Sequence, residues 1–235
     1  MFAGSILFAF TLLATATAHV TSRSARRDIN AVAFFDPTQG GGSWLDNAGS
    51  GGGEPLNVVI SGLSSPAVLT DDGVVNFARA IGFSTECFGI HIGDPQSANL
   101  GDGNGAVNQT IELRQDFGNA DIGTCLESLI GGNHFRVFRQ NGPNANSGAL
   151  FLAVSKEENV TEGHTISEDG YNVGRDALVD AAVGTTSFNG VTYSTTAQRL
   201  VNQMPAGATG VNHGLYTFSW VTMNALTLVL LQVSL

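Results

Sequence analysis

His134 and Arg136 stand two residues apart in the stretch GGNHFRVFRQNG, with Arg139 close behind. Once the first 27 residues are set aside, this is the only tight group of cationic side chains in the chain. The stretch reads as a strand, so His134, Arg136 and Phe138 share one face, and Phe135, Val137 and Arg139 the other. A guanidinium grips a carboxylate or phosphate through parallel hydrogen bonds, so the spacing predicts an anion-binding face. His164, Tyr171, Arg175, Asp176 and His213 complete the candidate ligand-binding set. Arg175 and Asp176 fall at the start of a helix expected over 174–183, where free backbone N–H groups favour anions. The competing expectation is internal: Arg136 or Arg175 is consumed by a buried carboxylate such as Asp176 or Asp169.

Established catalytic templates fail. Gly62-Leu63-Ser64-Ser65 is not the nucleophile elbow G-x-S-x-G. The glycine clusters at 40–42 and 51–53 are not followed by Lys-Ser/Thr, which excludes a phosphate-cradling P-loop, and H-E-x-x-H is absent. No catalytic residue is assigned, no cofactor is expected, and no CxxC or HxxxH spacing points to a metal. The first expectation is a binding module for a small anionic or polyhydroxylated (carbohydrate) ligand. The alternative is a hydrolase of phosphate or carboxylic esters with a histidine as general base. A metal on His134, His164 and His213 is a variant of that alternative. His91, inside an apolar run, reads as a core or edge histidine.

The elements that must position these residues read as a single α+β domain, a mixed β-sheet with helices mainly on one face. LNVVIS (56–61) is a buried strand. Thr70 caps a helix with Asp71 and Asp72 in its first turn, and Gly82 stops it. ECFGIHI (86–92) is the next strand and 110–114 another. A short helix over 121–130 turns Cys125, Leu126 and Leu129 inward. The hairpin follows, with a turn over 141–148 and a covered return strand over 149–155. After the helix over 174–183, residues 191–201 form a last strand. Gly101-Asp102-Gly103-Asn104-Gly105 is a turn rather than a calcium loop, lacking the acidic closure of an EF-hand.

Residues 1–18 read as a secretory signal ending in Ala16-Thr17-Ala18, and 19–27 as a pro-segment ending at Arg26-Arg27. Residues 28–54 are a Gly-rich lead-in that pins Trp44 on the core, 55–214 the domain, and 215–235 an apolar tail. The tail is open between a final strand, a GPI signal after Ala206-Gly207-Ala208, and a membrane anchor. Secretion sets the redox context, so Cys87 and Cys125 are expected to form one disulfide. Asn108 and Asn159 head N-x-T acceptors for glycosylation. Removing 1–27 takes away three of the 10 cationic residues and none of the 20 acids, so net charge moves from −10 to −13. Such a chain repels nucleic acid and anionic membrane surfaces. A membrane partner is expected only if the tail is an anchor. A GPI-linked tail would make a structural cell-surface protein the third alternative.

GEPLNVVISGLSSPAVLT, GGNHFRVFRQNG, ALFLAVSKE and DGYNVGRD resemble an uncharacterised family of fungal, mostly basidiomycete, secreted proteins. H-x-R on a strand, a later His, and R-D opening a helix are also similar to the LssY-like C-terminal domain. That likeness touches His134, Arg136, His164, Arg175 and Asp176. The fungal resemblance is the stronger, covers about 41–183 and 210–214, and implies a shared fold and export with no established activity. The LssY-like likeness is not read as phosphatase activity, because the membrane modules that often accompany such domains are not present in this sequence.

Overall fold

The computed structural model describes residues 31–48, 53–90 and 95–200. The signal, the pro-segment, His91, His213 and the tail lie outside them. Along the chain come β1 (Leu56–Ile60), α1 (Asp71–Ala80), β2 (Phe83–Thr85), β3 (Ser97–Asn99), β4 (Ala106–Asn108) and β5 (Ile111–Gln115). Then follow α2 (Gly123–Ile130), β6 (Gly132–Asn141), β7 (Asn146–Glu157), α3 (Gly170–Ala182), β8 (Gly184–Phe188), β9 (Val191–Thr195) and β10 (Ala197–Arg199). Short 3-10 turns cover Pro37–Gly40, Cys87–Gly89 and Val160–Glu162.

Six strands form one sheet in the order β10-β1-β7-β6-β5-β2. The α+β class and the single domain are as read from the sequence, and every described pairing is antiparallel. β1 and β2 consequently run in the same sense with three strands between them, and α1 makes the crossover. The long β6–β7 hairpin is the sheet's centre, and β7 is buried from Ala149 to Ser155.

The two faces differ. On one, α1 and α3 bury Val74, Phe77, Leu178 and Val179 against Val58, Leu113, Phe135, Val137, Leu152 and Val154. Each fully buried Leu, Val or Phe contributes about 1.5–3 kcal/mol. Thr70 caps α1, its hydroxyl accepting from Gly73 N–H, with Asp71 and Asp72 in the first turn. On the other face the lead-in lies over the sheet. Trp44 packs at 5.7 Å from Phe151 and meets Phe34 edge-on, with Leu56, Leu100 and Phe138 around them. The Cys87–Cys125 disulfide is present, tying the segment after β2 to α2.

Several boundaries move. The strand expected over 86–92 is displaced: the sheet takes Phe83–Thr85 instead. Beyond it Cys87–Gly89 turns, with Phe88 in the left-handed region at φ 53. Leu126 faces solvent, Cys125 is buried as expected, and the inward side of α2 is completed by Thr124 and the charged Glu127. α3 begins at Gly170, a full turn earlier than 174, because Asp169 takes a left-handed conformation there at φ 55. The strand expected over 191–201 is two strands, and β8 was not anticipated. Asn189-Gly190 joins β8 to β9 with positive φ at both residues (48 and 78), the geometry of a type I′ hairpin turn.

The turn rich in Asp, Asn and Gly has an internal task. Asp102 is 1% exposed, and its carboxylate accepts from the backbone N–H groups of Asn104, Asn141 and Gly142. It thereby fixes the tip of the central hairpin. Asp102→Ala leaves three amides without their acceptor and is expected to cost about 2–3 kcal/mol. A urea titration with unchanged slope and a lowered midpoint checks this.

Candidate functional site

Antiparallel register brings two short sequence patterns face to face. Glu112 of β5 lies opposite Arg136 of β6, and Arg114 opposite His134. Leu113 and Phe135, between them, point to the helical face. Glu112, Arg114, His134 and Arg136 therefore project together onto the other face, beside the aromatic cluster around Trp44. β7 extends the row with Ser155 and Glu157, since alternate residues share a face. Three covering segments add groups: Glu54 and Asp46 from the lead-in, Glu127 from α2, and His164 from the loop after β7.

The result is a buried layer of ion pairs. Arg136 Nη1 donates to Glu54 Oε2 at 2.7 Å, and its Nε lies 3.3 Å from Glu112. Arg114 donates to Glu127 Oε2 at 2.9 Å and to Glu112 Oε1 at 2.5 Å, with Glu157 at 3.5 Å. His164 Nε2 is 2.7 Å from Glu157 Oε2, and His134 Nδ1 approaches the same oxygen at 3.4 Å. His134 Nε2 is flanked by Arg136 Nη1 at 3.1 Å and Ser155 Oγ at 3.3 Å.

Protonation follows from these neighbours. Burial works against the charge on Glu112, but Arg136 and Arg114 outweigh it and hold its carboxyl down at about 2. Burial likewise opposes charge on Glu157, yet His134 and the His164 hydrogen bond hold it well below the carboxylate range. Burial works against a proton on His164, and Glu157 overcomes it and pushes the imidazole up. Asp46 is the opposite case: burial, then the Glu54 charge, push it up to about 7. Burial with Glu54 and Asp46 also pushes the Tyr171 hydroxyl up.

The candidate residues therefore divide. His134, Arg136, His164 and Tyr171 do come together, but the Arg136 guanidinium is buried and engaged by Glu54 and Glu112 rather than presented to a ligand. Arg175 belongs to a separate group. Its Nε donates to Asp176 at 2.8 Å and its Nη1 to Asn172, while Arg199 reaches Asp176 and Asp180. Asp176 is the partner named from the sequence, although its side chain is half exposed rather than buried as expected. With α3 starting at Gly170, Arg175 lies beyond the first turn and its N–H is not free for an anion. Asn108 is exposed. Asn159 is half-buried, its Oδ1 accepting from Thr161 and Glu162 N–H.

Glu54, Glu112, Arg114, Glu127 and Glu157 were not singled out from sequence. A signal did exist: E-x-R at 112–114 is the antiparallel complement of H-x-R at 134–136. Glu54 and Glu127, brought in by covering segments, had none.

A cavity lies on the helical face. It is a shallow groove of about 240 Å³ where α1 ends and α3 leaves the sheet uncovered, lined by Ile81, Phe83, Gln115, Asp116, Phe117 and Asn133 among others. No protein-family model, curated protein or solved structure matches this chain.

Two outcomes follow. Arg136→Ala strands Glu54 and Glu112 without their main partner and is expected to cost about 3–5 kcal/mol. Chemical denaturation at neutral pH measures it. Asp46 binds its proton more tightly folded than unfolded, so its contribution is complete below about 3.8 and is lost as pH rises through about 7. Glu112 runs the other way, contributing above about 4.5 and losing it as pH falls through about 2. Wild type should be more stable in mildly acidic than in slightly alkaline medium. Asp46→Asn should flatten that fall and leave the steep acid limb in place, as read from urea midpoints across pH.

Proposed function

We propose that this chain is an exported, disulfide-braced glycoprotein that binds a polyhydroxylated ligand without turnover, at the groove on the helical face. The secretory signal, the two N-x-T sites and the resemblance to fungal secreted proteins support export. The anionic half of the ligand expectation loses its basis, because Arg136 and Arg175 are consumed internally. The groove, with Asp116 on its wall in an acidic chain, also disfavours an anion.

The observation that carries the reading is Phe117. It occupies the first central position of a tight turn in which Asn119 N–H reaches Asp116 O and Phe117 and Gly118 both have positive φ, 48 and 79. Such turns are dominated by Gly, Asn and Asp. Here an aromatic ring is held there at 43% exposure, on the lining of the groove, against a local cost of roughly 1–3 kcal/mol. Strain of this kind concentrates where a side chain must be presented to a ligand. An exposed aromatic face beside Asp116, Gln115 and Asn133 offers stacking for the C–H face of a sugar ring and hydrogen bonds for its hydroxyls. The volume is below that of pockets that enclose small molecules. It suits one ring of a longer glycan lying across the surface.

Phe117→Asn removes the ring and relieves the backbone. It is expected to raise stability by about 1 kcal/mol while abolishing retention on soluble polysaccharides in affinity electrophoresis. Wild-type protein that migrates unretarded through every glycan, or a Phe117→Asn variant retained as well as wild type, overturns the reading.

A further inference from the structure

The buried layer on the other face holds more acid than its arginines balance. Glu54, Glu112, Glu127 and Glu157 stand against Arg114 and Arg136, with Asp46 aside. Counting only these carboxylates and guanidiniums, acids outnumber bases by two, and the proton that His164 shares with Glu157 offsets one of them, where unbalanced charge is costly. The excess collects at one end. Carboxylate oxygens of Glu127 and Glu157 and an imidazole nitrogen of His164 all lie within 4.8 Å of one another. Arg114 takes Glu127 Oε2, and Glu127 Oε1 has no hydrogen-bond partner although the side chain is 0% exposed.

We propose that Glu127, Glu157 and His164 form a binding site for a divalent cation of the zinc class, with His134 as a positioning residue. Two carboxylate oxygens and an imidazole nitrogen are a borderline donor set, which favours zinc or cobalt over calcium or magnesium. Three protein ligands leave a fourth position open. Bonds of about 2.0–2.2 Å in a tetrahedron set ligand atoms roughly 3.3–3.5 Å apart, so the cluster closes by small side-chain rotations. His164 Nε2 and Glu157 Oε2, now 2.7 Å apart, separate as the cation replaces the proton between them. That proton leaves to solvent as the doubly charged cation enters, a net gain of one positive charge that balances four carboxylates against two guanidiniums and the cation.

The surroundings are built for this arrangement. Arg136 Nη1 is a donor only, so His134 Nε2 accepts from it and Nδ1 carries the hydrogen. That N–H lies 3.4 Å from Glu157 Oε2, too loosely placed to bond it as it stands, and is free to orient the carboxylate once Glu157 turns to a cation. Each ligand comes from a different element. Glu127 is on α2, two residues after the disulfide-bonded Cys125, and Glu157 ends β7. His164 is on the following loop, held in the left-handed region at φ 51, where non-glycine residues are uncommon. The His164 and Glu157 side chains keep 15% and 12% exposure, which gives a cation its way in. A cation here cross-links helix, strand and loop.

Untagged, secreted chain, stripped by chelator and dialysed, is titrated with zinc alone against a chromophoric competitor, then loaded with cobalt(II). One zinc per chain is expected, together with the visible d–d bands of a low-coordinate cobalt site. Glu127→Gln and His164→Asn should each weaken zinc by at least about tenfold. Asn tolerates the backbone at 164, so that variant keeps its fold. Natively folded wild type that takes up no stoichiometric zinc overturns the proposal, as does uptake unchanged in both variants. Should a variant unfold, X-ray absorption of the zinc-loaded wild type decides. One imidazole among oxygen ligands supports the site, and a shell without imidazole overturns it.

Discussion

Two guanidiniums, Arg114 and Arg136, hold four carboxylates out of water on one face of the sheet, and the rest of the structure is arranged around that compensation. Desolvating an ion costs several kcal/mol, repaid only when partners and geometry are good. Each covering segment must therefore arrive with its own charge in place. The lead-in brings Glu54, α2 brings Glu127, and β7 ends on Glu157. A one-residue slip of β5 against β6 would turn Glu112 and Arg114 toward the helices. The layer contributes little net stability compared with an apolar core, but it admits one register.

The division of labour between the faces follows. Helices α1 and α3 bury a continuous apolar surface, which needs shape and little else. The other face is half aromatic, around Trp44 and Phe151, and half ionic. A lead-in with many glycines covers it because backbone must pass close. A side chain at Gly40 or Gly42 would collide with the backbone at Gly101 and Asn99. The groove lies where the helical cover stops, at the end of the sheet near Asn133 and Phe117.

Much of this was legible in the residues. Alternation placed His134, Arg136 and Phe138 on one face correctly, and export predicted the disulfide. Thr70 and its two aspartates marked the start of α1. What failed had a physical cause in each case. A run such as ECFGIHI has strand composition, but a tertiary tether at Cys87 and a left-handed Phe88 take it out of the sheet. Asn189-Gly190, a strong short hairpin signal, marks the turn that makes β8 a strand, and the break at Thr196 that splits 191–201 into β9 and β10 has no such signal. An isolated arginine reads as available charge, because the sequence does not show which glutamate will be folded onto it. Glu54 and Arg136 are 82 residues apart. Only β5 paired with β6 could have exposed part of the answer, as complementary E-x-R and H-x-R.

The sheet's outermost described strands, β2 and β10, have three residues each, whereas the central β6 and β7 have ten and twelve. Long central ladders are thus bounded by stubs too short to template another molecule's strand. Copies of the chain that meet at high local concentration find no long edge ladder to extend. Resistance to amyloid-like stacking is set at those two truncated margins of the described sheet rather than in its interior.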